Sequence, residues 1–190
     1  MKKKIVLLAL LTGVLSLFGC GNTENEFTVG TCYFVYDNSV HQDATLASAM
    51  NPSAPGIFCI VTKSMRNGAN YFDFTSSAGQ TSSEIFNALD ERRTLALGYN
   101  GSIIVGFGAL SQPAAFYAFD RECPNCFDPN AIPIKSRPLS LTTTGLATCG
   151  VCHRNYDLNN NGFISSGDNG KRLTRYRAAT TGPFGILSVN

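Results

Sequence analysis

The run Phe116-Tyr117-Ala118-Phe119-Asp120-Arg121-Glu122-Cys123-Pro124-Asn125-Cys126 and its later counterpart Gly145-Leu146-Ala147-Thr148-Cys149-Gly150-Val151-Cys152-His153 decide the reading of this chain. Each is a strand-like stretch that ends in a C-x-x-C pair, and 22 residues separate the two pairs. Two thiols three positions apart fit on one tight turn with both sulfurs facing the same point. Two such turns brought together make a tetrahedral four-thiolate cage, the donor set that zinc and iron favour. The intervening length is slightly above the usual zinc-ribbon window of roughly 15–20 residues. The pattern therefore predicts a metal centre through Cys123, Cys126, Cys149 and Cys152 without selecting the metal. Two local disulfides, or a redox dithiol, are the alternatives.

Working outward, the rest of the chain reads as mostly β. Short apolar and aromatic runs recur at 28–36, 57–62, 71–74, 102–108 and 114–120, punctuated by Asn100-Gly101, Asn161-Gly162 and prolines at 52, 55, 113 and 183. The aromatic set Phe72, Phe74, Phe107, Phe116, Tyr117 and Phe119 alternates with small residues, as a sheet core does. One segment, Ser82 to Thr94, carries Ile85, Phe86 and Leu89 at helical spacing behind Ser83 and Glu84, and predicts a short helix. Gln42 to Met50 is a second helical candidate. After Cys126 the chain continues through a threonine-rich patch at 141–144, a polar loop after Tyr156-Asp157-Leu158, and strand-like runs at 173–177 and 185–189.

At the other end, Lys2, Lys3 and Lys4 precede an apolar run from Ile5 to Phe18 that closes on Gly19-Cys20. A basic head, a short apolar stretch and small residues at a cleavage point read as a secretory signal over 1–19. The ending resembles the lipobox of bacterial lipoproteins, which implies cleavage before Cys20 and a lipid on Cys20; an ordinary signal with an incidental cysteine is the alternative. Phe18 is bulkier than the usual lipobox residue at that place. Residues 20–27 then form a polar tether, and 28–190 one domain whose metal-bearing part is 121–190. Glu24 and Glu26 resemble the export signal of surface-exposed lipoproteins of the Bacteroides group. The expected location is the cell envelope, lipid-anchored in the outer membrane and facing either way.

The chain has 15 Lys and Arg against 13 Asp and Glu, scattered rather than clustered, so nothing points to nucleic acid. Of seven cysteines, Cys20 and the four motif thiols leave Cys32 and Cys59. An exported protein meets an oxidising compartment, so these two are expected either to form a disulfide or to lie buried as small apolar residues. No Gly-x-Ser-x-Gly, phosphate loop or Ser/His/Asp set is present, and two histidines offer little scope for a base.

From Cys123 onward the layout resembles a Rieske-type domain. The matching features are the aromatic strand before the first ligand loop, Thr148-Cys149 opening the second, the Tyr156-Asp157 pair, the Asn-Gly turn, the Leu173-x-x-Tyr176 strand and the closing Ile186-Leu187-Ser188-Val189 strand. The chain more specifically looks like Rieske-like lipoproteins of Bacteroides-type bacteria. That resemblance implies an antiparallel β-sandwich or barrel with two metal-loop hairpins and one or two short helices. A Rieske centre uses C-x-H and C-x-x-H, so that two imidazoles bind one iron of a [2Fe–2S] cluster. Here Cys126 and Cys152 stand at the histidine positions, which makes the site all-thiolate. Zinc, a single iron or a [2Fe–2S] cluster with four cysteines then fits. His153 is expected to be a surface residue near the site, where its ring could donate a hydrogen bond to a sulfur.

Two further motifs compete. Cys149-Gly150-Val151-Cys152-His153 also spells C-x-x-C-H, the covalent haem signature, with Met50, Met65 or His41 as distal candidates. Asp157, Asn159, Asn161 and Asp168, with Gly162 at the sixth place, match the oxygen positions of an EF-hand calcium loop, although Asp168 replaces the usual glutamate. The plainer reading of those residues is a polar turn in which Asn and Gly supply positive φ. The expected function is an envelope lipoprotein with a Rieske-like metal domain, a one-electron carrier with a redox partner protein if iron fills it. The alternatives are a non-catalytic binding or scaffold lipoprotein stapled by zinc, and a small c-type cytochrome. The role expected is that of an electron carrier or binding protein more than of an enzyme, a question the sequence leaves open.

Overall fold

The structure, a computed structural model, describes residues 26–190. The signal segment, the lipidation site Cys20 and the tether as far as residue 25 lie outside the described residues. The chain is mostly β. The elements in order are β1 (Phe34–Asp37), α1 (Asn38–His41), α2 (Ala44–Ala49), β2 (Phe58–Arg66), β3 (Ala69–Ser76), β4 (Thr81–Ile85), β5 (Ser102–Phe107), β6 (Phe116–Asp120), β7 (Leu139–Leu141), β8 (Leu146–Cys149), β9 (Asn155–Asp157), β10 (Phe163–Ser166), β11 (Arg175–Tyr176), β12 (Ala178–Thr180) and β13 (Ile186–Val189).

The strands form three antiparallel sheets, and the largest, ordered β11-β6-β5-β2-β3-β4, is the centre of the molecule. Its middle strands read as unbroken apolar runs, Phe58-Cys59-Ile60-Val61 and Ile103-Ile104-Val105, because both of their faces are covered. Side chains alternate across a strand, and the two sets go to different cores. Cys59, Val61, Phe72, Phe74, Ile103, Val105 and Ala118 pack against Phe34 and Tyr36 of β1, Leu187 and Val189 of β13, and Leu46 and Ala49 of α2. Phe58, Ile60, Ile104, Tyr117 and Phe119 pack instead against Leu139, Ala147, Cys149 and Tyr156 of the four-stranded sheet β10-β9-β8-β7. Each fully buried Phe stabilises the fold by about 1.5–3 kcal/mol relative to exposure. The 28–120 segment and the metal-bearing segment thus share one central sheet.

The second helical candidate is α2, which Asp43 caps by accepting from the Leu46 N–H at 2.7 Å. The first is corrected. Residues 81–85 are an edge strand on β3, with Phe72 opposite Glu84 and Phe74 opposite Ser82. Thr81-Ser82-Ser83 is poor helix material, and Ile85 and Leu89, at helical spacing, are both more than half exposed. Only Phe86 is used for packing, stacked on Phe72 with ring centroids 4.0 Å apart. A single turn follows, held by Asn87 Oδ1, which accepts from the Leu89 and Asp90 N–H groups.

Candidate metal centre

The first cysteine pair sits where β6 runs out. Asp120 ends the strand fully buried, and its carboxylate accepts from Tyr99 N–H (2.7 Å), Tyr176 Oη–H (2.6 Å) and Glu122 N–H (2.7 Å). Burial raises its pKa. Glu122, also buried, accepts from Asn100 Nδ2, Ser136 Oγ and Arg137 N–H, which closes the base of the 123–137 loop. Cys123 N–H donates to Arg137 O at 2.9 Å, and Leu139 N–H to Arg121 O at 2.8 Å. At the tip, Cys126 and Phe127 N–H groups both donate back to Cys123 O. That tight turn places both thiols on one side.

The second pair is the tip of the β8–β9 hairpin. Cys149 N–H donates to Arg154 O and His153 N–H to Cys149 O, both at 3.0 Å, with His153 at φ +58° turning the chain. A third segment braces both tips. Asn125 exchanges hydrogen bonds with Lys171 (Nδ2–H to Lys171 O, 2.8 Å; Lys171 N–H to Oδ1, 2.9 Å), and the Arg154 guanidinium donates to the carbonyls of Asp168 and Asn169.

With the tips so held, the four Sγ atoms lie within 4.8 Å of one another. Cys123 Sγ is 3.7 Å from Cys152 Sγ, and Cys149 Sγ is 3.9 Å from Cys126 Sγ. Tetrahedral coordination at ~2.3 Å per metal–sulfur bond sets sulfur–sulfur edges of about 3.8 Å. Those two edges match the spacing one ion requires, and the remaining sulfur pairs stay within 4.8 Å. Cys123 and Cys149 are buried, while Cys126 and Cys152 are partly exposed. The four cysteines can hold a metal ion, and the donor set is that of zinc or iron. All four sequence-predicted ligands converge.

Comparison with protein-family models, curated proteins and solved structures finds no match. The site is therefore characterised by its own chemistry.

Several backbone and side-chain donors point at the sulfurs. Val151 N–H donates to Cys149 Sγ at 3.5 Å, and the Asn125 and Arg154 N–H groups lower the thiol pKa of Cys123 and Cys152. Fully buried Tyr156 places its Oη 3.2 Å from Cys123 Sγ and accepts from Asn125 Nδ2 at 2.9 Å. Burial raises the Cys123 thiol despite the Tyr156 hydrogen bond, and burial with neighbouring thiols holds Cys126 well above the ordinary range. Burial opposes ionisation of Cys152 as well, but the Arg154 backbone and guanidinium and the adjacent thiols outweigh it and bring Cys152 down to about 6.

Tyr156 and Asn125 were not assigned to the site from sequence. The usable signal was a tyrosine between two strand residues, whose hydroxyl needs a partner when buried. His153 is at the surface as the sequence predicts, and the correction concerns only its hydrogen bond. Its ring is exposed and makes no hydrogen bond to a sulfur among the described residues; its contribution is the backbone turn.

The other sequence candidates lie elsewhere. Cys32 and Cys59 are free, buried thiols of the same core cluster, so of the two readings open from sequence the structure has the buried apolar one and not the disulfide. Burial pushes Cys32 up to about 11 and Cys59 higher still, which keeps both protonated. The calcium motif is a β9–β10 turn. Asp157 Oδ1 accepts from Asn159 N–H, Asn159 Oδ1 from Ala109 N–H and Asn161 Oδ1 from Arg175 Nη1, while the Asp168 side chain is 92% exposed. With the amide oxygens committed to other donors, the loop gathers no oxygen cage. The haem reading also fails on placement. Cys149 and Cys152 are engaged with Cys126 and Cys123, a strand follows His153, Met50 and the His41 ring lie in the opposite core, and Met65 is exposed.

Proposed function

We propose that this chain is a Rieske-like envelope lipoprotein whose all-cysteine site holds one metal ion, and that with iron it acts as a one-electron carrier. The observation that carries the single-ion reading is the mutual 4.8 Å limit on the four sulfurs. In a [2Fe–2S] rhomb the two thiolate pairs bind opposite irons and stand further apart than that. Four thiolates around one iron supply a one-electron couple, and their charge lowers its potential relative to imidazole ligation. The partly exposed Cys126 and Cys152 bring the centre to the surface, where a partner protein can approach. The antiparallel sheets, with the ligands on two loops of which one is the β8–β9 hairpin, support the Rieske-like assignment. The signal-like head ending at Cys20 supports lipid anchorage in the outer membrane.

A second reading is a structural zinc in a binding or scaffold lipoprotein. It is favoured by the construction of the 121–157 region, whose strands are only three or four residues long. Such short pairings gain most from a staple, and a structural zinc supplies folding energy directly.

The ultraviolet–visible spectrum and elemental analysis of the purified mature protein separate the two. Iron–thiolate ligation gives charge-transfer bands across the near ultraviolet and visible, and one iron per chain. A colourless protein with one zinc per chain sinks the electron-carrier reading. A protein with no bound metal sinks both.

A further inference from the structure

The two sulfur pairs that have both the distance and the angles of a hydrogen bond run crosswise, Cys123 to Cys152 at 3.7 Å and Cys126 to Cys149 at 3.9 Å. In each of these pairs one sulfur is partly exposed and belongs to one tip, and the other is buried and belongs to the second tip. Both tips are fixed by backbone hydrogen bonds at their bases, Cys123 N–H to Arg137 O and Cys149 N–H to Arg154 O. Both are also tied through Asn125 and Arg154 to the 168–171 segment. Closing either pair to disulfide length, about 2.05 Å, shortens a contact that already stands at 3.7 or 3.9 Å.

We infer that the centre is a thiol–disulfide switch whose oxidised, metal-free form carries the crosswise disulfides Cys123–Cys152 and Cys126–Cys149. The inference rests on the single-ion reading for the metal-bound state. The oxidant is a disulfide-bearing molecule, either a small disulfide or an oxidised dithiol protein. Cys152 thiolate attacks one sulfur of that disulfide, expelling the other as a thiolate and forming a mixed disulfide. Cys123 thiolate, 3.7 Å away, then attacks Cys152 Sγ and expels the second thiolate. The same two displacements join Cys126 to Cys149. Two equivalents of disulfide are reduced to four thiolates, two protein disulfides form, and the divalent ion leaves because its four donors are consumed. The exposed sulfur of each pair meets the oxidant and the buried one resolves it. The resulting links connect the same two tips as the metal, so the fold is braced in either state.

The test treats the metal-loaded protein with oxidised glutathione, reads metal release with a chromophoric chelator and maps the cysteines by trypsin and mass spectrometry. Cleavage after Arg121, Lys135 and Arg154 puts Cys123 and Cys126 in peptide 122–135, and Cys149 and Cys152 in peptide 136–154. Crosswise bonds join these peptides, fragmentation assigns 123–152 and 126–149, and one ion is released per chain. Dithiothreitol with added metal restores the starting state. Separate peptides, each with an internal 123–126 or 149–152 bond, overturn the inference, as does full metal retention; in both cases the metal site itself stands. Joined peptides in a protein that never held metal sink the single-ion reading and leave the crosswise pairing intact. In Cys126→Ser the peptides should still be joined, by Cys123–Cys152 alone, and loss of that link also overturns the assignment.

Discussion

Replacing Tyr156 with Phe removes one oxygen and almost no volume, which isolates the hydrogen bond to Cys123. In the metal-bound protein the acceptor is a thiolate, and a hydrogen bond to a charged group contributes roughly 1.5–3 kcal/mol. In metal-free protein, with Cys123 raised and protonated, the same contact is between neutral groups and contributes roughly 0.5–1.5 kcal/mol. Asn125 keeps its bond to Lys171 O when the tyrosine oxygen goes, so no fully orphaned donor adds to the cost. For a chain of this size each kcal/mol lowers Tm by roughly 2–4 °C. Tyr156→Phe should therefore lower Tm by about 3–12 °C with metal bound and by about half that after chelation. Differential scanning calorimetry of both proteins in both states is the assay. An equal loss with and without metal would mean that the hydroxyl serves the fold and not the thiolate. No loss in either state would refute the contact altogether.

Cys152→Ser, which deletes one of the four sulfurs, should abolish stoichiometric metal binding and lower Tm; an unchanged metal content by elemental analysis excludes Cys152 as a ligand. Millimolar calcium should leave Tm unmoved, since the Asn159 and Asn161 oxygens are already engaged; a calcium-dependent rise by fluorimetry would restore the EF-hand reading. Asp120 has a folded-state pKa raised by burial, so its contribution to stability is complete below the unfolded carboxylate pKa, near 3.9, and is lost as pH rises through the higher folded value. Denaturant unfolding across that window should show a downward slope with pH that Asp120→Asn flattens; an identical slope in the variant would assign the effect elsewhere. Gly162→Ala should cost about 1–3 kcal/mol, because φ is +69° and the added Cβ would stand 2.7 Å from Leu173 Cβ; chemical denaturation measures it, and a neutral result would contradict the β9–β10 turn geometry.

How far the sequence foretells this structure depends on whether the deciding signal is local. The four cysteines of the candidate site were legible because C-x-x-C fixes a turn and its chemistry together, and their convergence followed from having two such turns. Strands β2, β5 and β6 were legible because apolar β-rich runs sat between turn residues. The 82–94 segment misled because Ile85, Phe86 and Leu89 satisfy a helical period, whereas the edge pairing of Thr81–Ile85 on β3 is set by a strand ten residues earlier. The calcium loop misled for a related reason. Its oxygen spacing is correct, but the occupants of those oxygens, Ala109 N–H and Arg175, come from distant parts of the chain. The roles of Tyr156 and Asn125 were hidden because each exists only in relation to the other and to Cys123.

The position of the candidate metal centre follows from how one strand serves two cores. Along β6, Ala118 faces the core under β1 and β13, while Tyr117 and Phe119 face the core under β7–β10. Three residues after this strand ends comes Cys123. A strand buried on both faces has little freedom to tilt or slide, since either motion would expose side chains of one core or the other. The buried Asp120 adds a third restraint by tying the end of β6 to Tyr99 and to Tyr176 of β11. Cys149, on β8, packs into the second of those cores and so is referenced to the same sheet. Both sulfur-bearing tips are thereby positioned from one rigid surface, which is the requirement for four side chains on two separate loops to meet at a spacing of one metal–ligand polyhedron.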